Sequence, residues 1–480
     1  MVLRGSKILV NNKYVNAKFI GNYLKCHYNG TYASLPKITP REATEILRSN
    51  EFTKEFDSSN SIKYYDFNQL AANNPIEDAR SEARCKLTNG LLFGVFDGHA
   101  GNECAKAISN RLFYYLAASF LPPTALDKIL SSGDSSKELK NNLLDLYNGK
   151  IDFDSTIEKI YDESFMSFVK ELSNKSSTYS SESDFQMDVA IENAFSSLDN
   201  DITNEALATL QKPDAAKTLG VAMSGAVAIV AHIDGPHLHV AGTGDCQAVL
   251  GVHTESDGWS AKMMNIVHTI DNRDEIKRIL SEHPPKENKT VISFGRLLGQ
   301  LAPFRAFGDV RYKWSEEMLK KVVVPHYGRV IAPYYRTPPY LTAKPDVIYH
   351  RLTPKDKFLI IASDGLWDEM SPLEAVRLVG EHMSGKVTLS PVKLPRKHMK
   401  LSEINEILLQ RKEGLKKKPL DENAATHLLR NALGGREYGI DHAKLARSLS
   451  HPCGNARYFR DDITITVIYM DSEFLRHCPT

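Results

Sequence analysis

Cysteine is scarce and scattered in this chain. Six residues, Cys26, Cys85, Cys104, Cys246, Cys453 and Cys478, are spread along 480 positions with no C-x-x-C pair and no Cys/His grouping of zinc-finger spacing. That pattern excludes a sequence-readable structural zinc site and points to a reducing compartment without disulfide staples. Long apolar runs are also missing. Those at 91–96 and 358–362 are among the longest, far short of the roughly 20 residues that a membrane-crossing helix needs, so no membrane span is expected. Nor is there an excess of either charge: 60 Lys and Arg face 59 Asp and Glu, a formal net charge of +1, which removes the global electrostatic signature of a nucleic-acid binder. The EF-hand spacing D-x-[DN]-x-[DN]-G does not occur, so calcium, if it acts, is expected at a partner interface rather than in a dedicated loop.

What remains is the composition of an ordinary globular protein, 42% hydrophobic and 25% charged, long enough to bury a large core. The first 41 residues depart from it. They carry Arg4, Lys7, Lys13, Lys18, Lys25, Lys37 and Arg41 and no acid before Glu42, with Leu3, Ile8, Leu9, Val15, Phe19 and Ile20 interspersed. This is the composition of a mitochondrial presequence able to form a short cationic amphipathic helix; a basic arm is the alternative, and Asn11, Asn12 and Asn16 weaken the helix. Residues 40–48 read as a helix opened by a proline, followed by a polar linker around 57–61.

Further on, LLFGVF at 91–96 is a buried strand stopped by Asp97-Gly98, and Ala105, Ile108, Leu112, Tyr115 and Leu116 then recur at helical spacing. The region of about 122–215 is helical in pattern, broken by a Ser-rich stretch at 173–183. AVAIVAHI, HLHVAG and QAVLGV follow as successive strands separated by Asp234-Gly235 and Gly244-Asp245. Residues 357–363 and 462–470 complete the strands. Helices and strands mix without a regular βαβ rhythm, so the expected class is α+β, with antiparallel sheets packed between helices. The basic stretch 386–418 reads either as a solvated insertion loop or as a docking surface for an acidic partner.

Acidic residues stand at several strand ends: Asp97-Gly98-His99, Asp364-Gly365, Arg460-Asp461-Asp462, with Glu77-Asp78 upstream. A carboxylate at a strand end is held by a rigid sheet yet projects beyond it, which suits a hard divalent cation. Each Asp-Gly alone is an ordinary turn, and spacing alone does not bring the four together.

The strings Pro75-Ile76-Glu77-Asp78, VFDGHAG (95–101), Thr243-Gly244-Asp245, RAFGD (305–309), SDGLWD (363–368) and RDDIT (460–464) occur in the order found in type 2C protein phosphatases, and the chain resembles that family. The resemblance implies an antiparallel β-sandwich flanked by helices with a two-metal site at one end, binding Mg²⁺ or Mn²⁺. By position, Asp97 resembles the carboxylate that bridges both ions and the Gly98 carbonyl a ligand of one. Asp364 and Asp461 match ligands of the other, with Asp462 as the fallback for Asp461. Glu77 and Asp78 match groups that hold metal-bound waters, and Asp245 a residue of a weaker third ion site. Two such ions activate a water for in-line attack on phosphorus, and His99 resembles the general acid that protonates the departing serine oxygen. RAFGD and residues 310–314 read as a strand-turn segment with Trp314 in the core, or as a loop beside the site; neither reading gives them a chemical step. One departure stands out: many members carry an Arg four residues before the Glu of the first motif, gripping substrate phosphate, and here that position is Asn73, which recognises phosphate more weakly.

Asn73 and several longer strings, among them NQLAANNPIEDAR, LLGQLAPFRAFGDVRYKW and NAATHLLRNALGG, resemble the pyruvate dehydrogenase phosphatase branch of the family. That resemblance implies hydrolysis of phosphoserine on the E1 component in the mitochondrial matrix, docking to a lipoyl domain of the E2 core with Ca²⁺ at the interface, and a regulatory subunit. The implied layout is a presequence at 1–33, an N-terminal helix and linker at 34–61, a catalytic domain at 62–472 with insertions at about 122–215 and 380–420, and a tail at 473–480.

Overall fold

The computed structural model describes residues 8–10, 13–15, 38–57, 60–88, 90–133, 135–148, 153–176, 185–392, 398–452 and 455–478. Two antiparallel sheets carry the fold. The first has six strands, β1 (Phe52–Glu55), β2 (Ile62–Leu70), β8 (Gln247–Thr254), β9 (Gly258–Met263), β12 (Asp356–Ala362) and β13 (Ile463–Met470), in the order β9-β8-β12-β13-β2-β1. The second runs β11-β7-β6-β4-β3-β5, from β3 (Ala79–Cys85), β4 (Leu91–His99), β5 (Leu144–Leu146), β6 (Gly225–Asp234), β7 (His237–Thr243) and β11 (Asp346–Arg351), with the two-residue β10 (Phe307–Gly308) pairing to β6.

Each central strand is buried on both faces, which is why it reads as an unbroken apolar run rather than an alternation. In β12, Leu359 and Ile361 belong to the core between the sheets, while Phe358, Ile360 and Ala362 belong to a second core under helices. In β4, Phe93 meets Tyr65 of the first sheet edge-on at 5.2 Å, while Phe96 faces Phe113 of the helix α1 (Glu103–Ser119). Helices α4 (Pro372–Met383) and α5 (Ala424–Gly434) cover the outer face of the first sheet through Val376, Val379, Leu428 and Leu429. The result is helix, sheet, sheet, helix: the α+β sandwich expected from the sequence.

The region 122–215 joins α1 in the second outer layer. Its helices include α2 (Ser155–Ser176) and α3 (Met187–Ala208), and α3 locks onto α1 through a buried, bidentate Arg111–Glu205 pair at 2.5 and 2.9 Å. The three-residue β5 lies inside this helical stretch and extends the sheet edge. At the N-terminus, Ile8–Val10 pairs antiparallel with Lys13–Val15, Ile8 opposite Val15. The amphipathic helix expected there is thus replaced over these residues by two short paired strands, in keeping with the β-branched Ile8, Val10 and Val15. The Ser-rich stretch at 177–184 lies outside the described residues.

Candidate functional site: an acidic cluster at one end of the sandwich

Asp97, Gly98 and His99 are the last three residues of β4. Glu77 and Asp78 lead into β3, Asp245 follows β7, Asp364 follows β12, and Asp461 and Asp462 lead into β13. Both sheets therefore deliver acids to one end. Asp78 ties them together: its Oδ2 accepts from Ser363 Oγ at 2.9 Å and Thr464 Oγ1 at 2.6 Å. The two glycines of the Asp-Gly pairs permit the approach. A Cβ on Gly98 would stand 2.4 Å from the Glu77 carbonyl oxygen, and one on Gly365 would stand 2.1 Å from that of Asp462.

Brought together, the carboxylates oppose each other's ionisation. Burial pushes Asp97 well above the usual range, and Asp78, Asp364 and Asp245 push it further. Burial does the same to Asp364, reinforced by Asp245 and Asp461, and Asp364 lies within hydrogen-bonding reach of Asp97. Asp78 is raised to about 7 by burial and then by Asp462, and Asp245 to about 6, again by burial first. Glu77 is raised by burial, although Gly101 N–H donates to its Oε1 at 2.8 Å.

This donor set fits hard divalent cations. Asp78 Oδ1 and Asp364 Oδ1 are sealed from solvent with no hydrogen-bond partner, the donors are all oxygen, and a cation would supply a countercharge to carboxylates that oppose each other's ionisation. Among the described residues no group of three or more His, Cys, Asp or Glu side chains is placed to hold a metal ion as it stands, so the fit rests on donor chemistry and charge.

The neighbours Asp461 and Asp462 divide their duties. Asp462 is 2% exposed and accepts from the backbone N–H groups of Ala72, Asn73 and Glu77 and from Asn73 Nδ2, the last three at 2.9 Å. Its oxygens are spent on holding the 72–77 loop. Asp461 is a third exposed and pairs with Arg457, while its charge is felt by Asp78, Asp245 and Asp364. Asn73, expected at the substrate phosphate, thus gives one amide hydrogen to Asp462.

Sequence reasoning missed Asp309. Trp314 is buried in the core as expected, but the acid of RAFGD also reaches the site, its Oδ2 lying 2.5 Å from His99 Nε2. Burial acts to lower the His99 pKa, yet the Asp309 charge and hydrogen bond outweigh it and leave the imidazole raised above its ordinary value. The backbone makes this contact through two successive left-handed residues, Gly308 at φ +64° and Asp309 at φ +50°. Gly225, paired with His99 across the sheet, leaves the room: a Cβ there would stand 2.1 Å from His99 Nε2 and 2.4 Å from Asp309 Oδ2. Arg305 is a brace instead, bidentate to Glu275 at 2.7 and 2.9 Å and bonded to Asp346.

An acidic, hard-oxygen cluster beside a His–Asp pair, at one end of a two-sheet antiparallel sandwich, has the donors and charge that suit a hydrolase working with divalent cations. The chain belongs to the protein phosphatase 2C family, whose profile matches residues 154–403; the family is metal-dependent, using Mg²⁺ or Mn²⁺. Among curated relatives, the mitochondrial pyruvate dehydrogenase (acetyl-transferring) phosphatase 1 of Homo sapiens is 43% identical over 461 residues, covering 92% of this chain and 85% of the relative. Human phosphatase 2 of the same name is 40% identical over 452 residues, covering 91% and 84%. The Saccharomyces cerevisiae phosphatase 1 is 30% identical over 463 residues, covering 88% and 71%.

Proposed function

We propose that this chain is a metal-dependent protein serine/threonine phosphatase that removes phosphate from phosphoserine of the pyruvate dehydrogenase E1 α subunit in the mitochondrial matrix, returning the complex to activity. The carrying observation is the concentration of Asp78, Asp97, Asp245 and Asp364, each shifted toward its neutral form, in a chain 43% identical to a phosphatase of that name. An inactive scaffold has no use for mutually repelling carboxylates. Asp97, the Gly98 carbonyl, Asp364 and Asp461 would hold the ions, with Glu77 and Asp78 orienting water around them and Asp245 serving a weaker third position. Bound there, divalent cations supply Lewis acidity and lower the pKa of water.

The protein's own residues supply the rest. His99, held by Asp309 and kept protonated to higher pH than a free imidazole, gives its proton to the departing serine oxygen, so the seryl group leaves as a neutral alcohol. Asp309 fixes the ring and carries the countercharge. Asp462 holds the 72–77 loop, and with it Glu77, in place.

Docking to a lipoyl domain of the E2 core, calcium at that interface and a regulatory subunit belong to the same reading. Support comes from the insertion at about 380–420, whose helix Leu401–Leu415 exposes Leu401, Leu408, Leu409 and Leu415 beside Lys412, Lys416, Lys417 and Lys418. The presequence at 1–33 and the domain limits at 62–472 are part of it too.

The test is phosphate release from phosphorylated pyruvate dehydrogenase E1 with Mg²⁺ or Mn²⁺ and with chelator, beside an unrelated phosphoserine protein. Metal-dependent release favouring E1 is expected. Equal release from both sinks the substrate assignment and leaves the phosphatase; no release from either sinks the phosphatase reading.

A further inference from the structure

Arg457 stands at the rim of the acidic cluster with its charge shared between two of its members. It lies on the single 3-10 turn Ala456–Tyr458, four residues before Asp461, and its Nη1 donates to Asp461 Oδ1. Its charge also reaches Glu77, favouring that carboxylate's ionised form. The side chain is 44% exposed, and its neighbours Tyr458 and Phe459 are 83% and 64% exposed. On the opposite side of the same two-residue acidic step, Asn73 has committed an amide hydrogen to Asp462. The amide at 73 is neutral, and one of its two hydrogens is already in use. A guanidinium offers two parallel charged donors that match the edge of a phosphoryl group.

The ion pair with Asp461 is partly exposed, and such pairs contribute little net free energy. It is therefore a contact that a stronger ligand of either partner can displace. A doubly charged cation on Asp461 competes for the carboxylate that Arg457 holds, and a dianionic phosphoryl group competes for the guanidinium.

We propose that Arg457 is the guanidinium that grips the substrate phosphoryl group, and that it is held on Asp461 until a divalent cation takes that carboxylate. Metal binding and phosphate binding are coupled through this exchange: the cation frees the arginine, and the freed arginine completes the phosphate site. The proposal rests on the reading of the cluster as a metal-dependent phosphatase centre.

Two measurements on the full chain separate the roles. Calorimetric titration with Mn²⁺ alone reads the competition without turnover: Arg457→Gln removes the competitor and is expected to tighten Mn²⁺ binding several-fold. Steady-state kinetics on phosphoserine protein reads the grip, with KM rising about 10- to 150-fold on loss of a charge-assisted contact and kcat changing much less. Inorganic phosphate, as a competitive inhibitor of the Mn²⁺-loaded enzyme, should weaken by the same factor. Arg457→Lys keeps the charge without the fork and should recover less than half of the KM change on a logarithmic scale. An unchanged melting temperature checks that the variants fold.

Unchanged KM and unchanged phosphate inhibition in Arg457→Gln overturn the phosphate role. Mn²⁺ affinity that is unchanged or weakened overturns the exchange. Failure of the underlying phosphatase reading looks different: the wild-type protein then releases no phosphate with any metal.

Discussion

Replacing Asp309 by Asn tests whether the His–Asp pair works as the proposed acid. The exchange keeps shape and removes the charge opposite His99 Nε2, 2.5 Å away. A hydrogen bond to a charged group contributes about 1.5–3 kcal/mol, so its loss in the reaction predicts a fall in kcat of roughly 10- to 150-fold. The fall depends on pH. In the native protein the carboxylate outweighs burial and holds the His99 pKa above its ordinary value; without it burial prevails, the pKa drops below 6.5, and the acid form is lost earlier. The alkaline limb of kcat moves to lower pH, and the deficit is larger at pH 8 than at pH 6. Stability runs the other way. A histidine whose folded pKa is raised stabilises the fold fully below its unfolded pKa and loses that contribution as pH rises through the folded value, so the variant is more destabilised at pH 6 than at pH 9. Stopped-time phosphate release across pH, with urea denaturation at the same pH values, reads both slopes. A deficit that is equal at all pH values, or no deficit, refutes the assignment of His99 as acid and Asp309 as its partner.

Four other substitutions have expected outcomes. Gly225→Ala should reproduce the Asp309→Asn activity loss without touching a titratable group, because the added Cβ occupies the space of the His99–Asp309 contact; normal kcat would show that the pair has room to move. His232→Leu should stabilise the protein by about 1–3 kcal/mol at pH 7.5, since both ring nitrogens are buried without partners and orphaned polar groups cost that much. Burial holds the His232 pKa down to about 3, so wild-type stability falls between pH 6.5 and pH 3 as the unfolded imidazole takes up a proton; at pH 5 the variant's advantage grows by about 2 kcal/mol, and equal gains at both pH values in urea titrations would count against it. Asp462→Ala should cost about 3 kcal/mol or more in urea denaturation, because three backbone N–H groups lose their acceptor, whereas Asp461→Asn should leave stability near wild type and weaken Mn²⁺ binding in calorimetry.

The strands were legible because burial on both faces writes itself as an apolar run, as at 91–96 and 358–362. Antiparallel sheets packed between helices were legible as a class for the same reason, since strands that alternate no polar face need cover on both sides; the two-sheet sandwich itself followed from the family resemblance. The paired strands Ile8–Val10 and Lys13–Val15 and the edge strand Leu144–Leu146 were not, since three residues carry no period. Among the site residues, the acids at strand ends could be picked out one by one, but their meeting depends on sheet order, which pairs β13 with β2 and β12 from distant parts of the chain. Asp309 was hidden for a different reason. Its approach to His99 depends on the backbone turning through φ +64° and then +50°, and an acid after a glycine in an Ala-Phe-Gly-Asp string looks like any turn.

The glycines explain why the acidic motifs take the form they do. An Asp-Gly at a strand end is ordinarily a turn, with glycine chosen for its backbone freedom. Neither Gly98 nor Gly365 has a positive φ, so freedom is not what these positions require. Each is instead packed against the carbonyl of another acidic segment, Gly98 against Glu77 and Gly365 against Asp462, at distances where a side chain cannot exist. The glycine after each aspartate lets a second acidic segment come within reach of the first. A substitution as small as Gly98→Ala or Gly365→Ala therefore separates the acids without altering any of them, and its expected signature is weaker Mn²⁺ binding with every carboxylate still present.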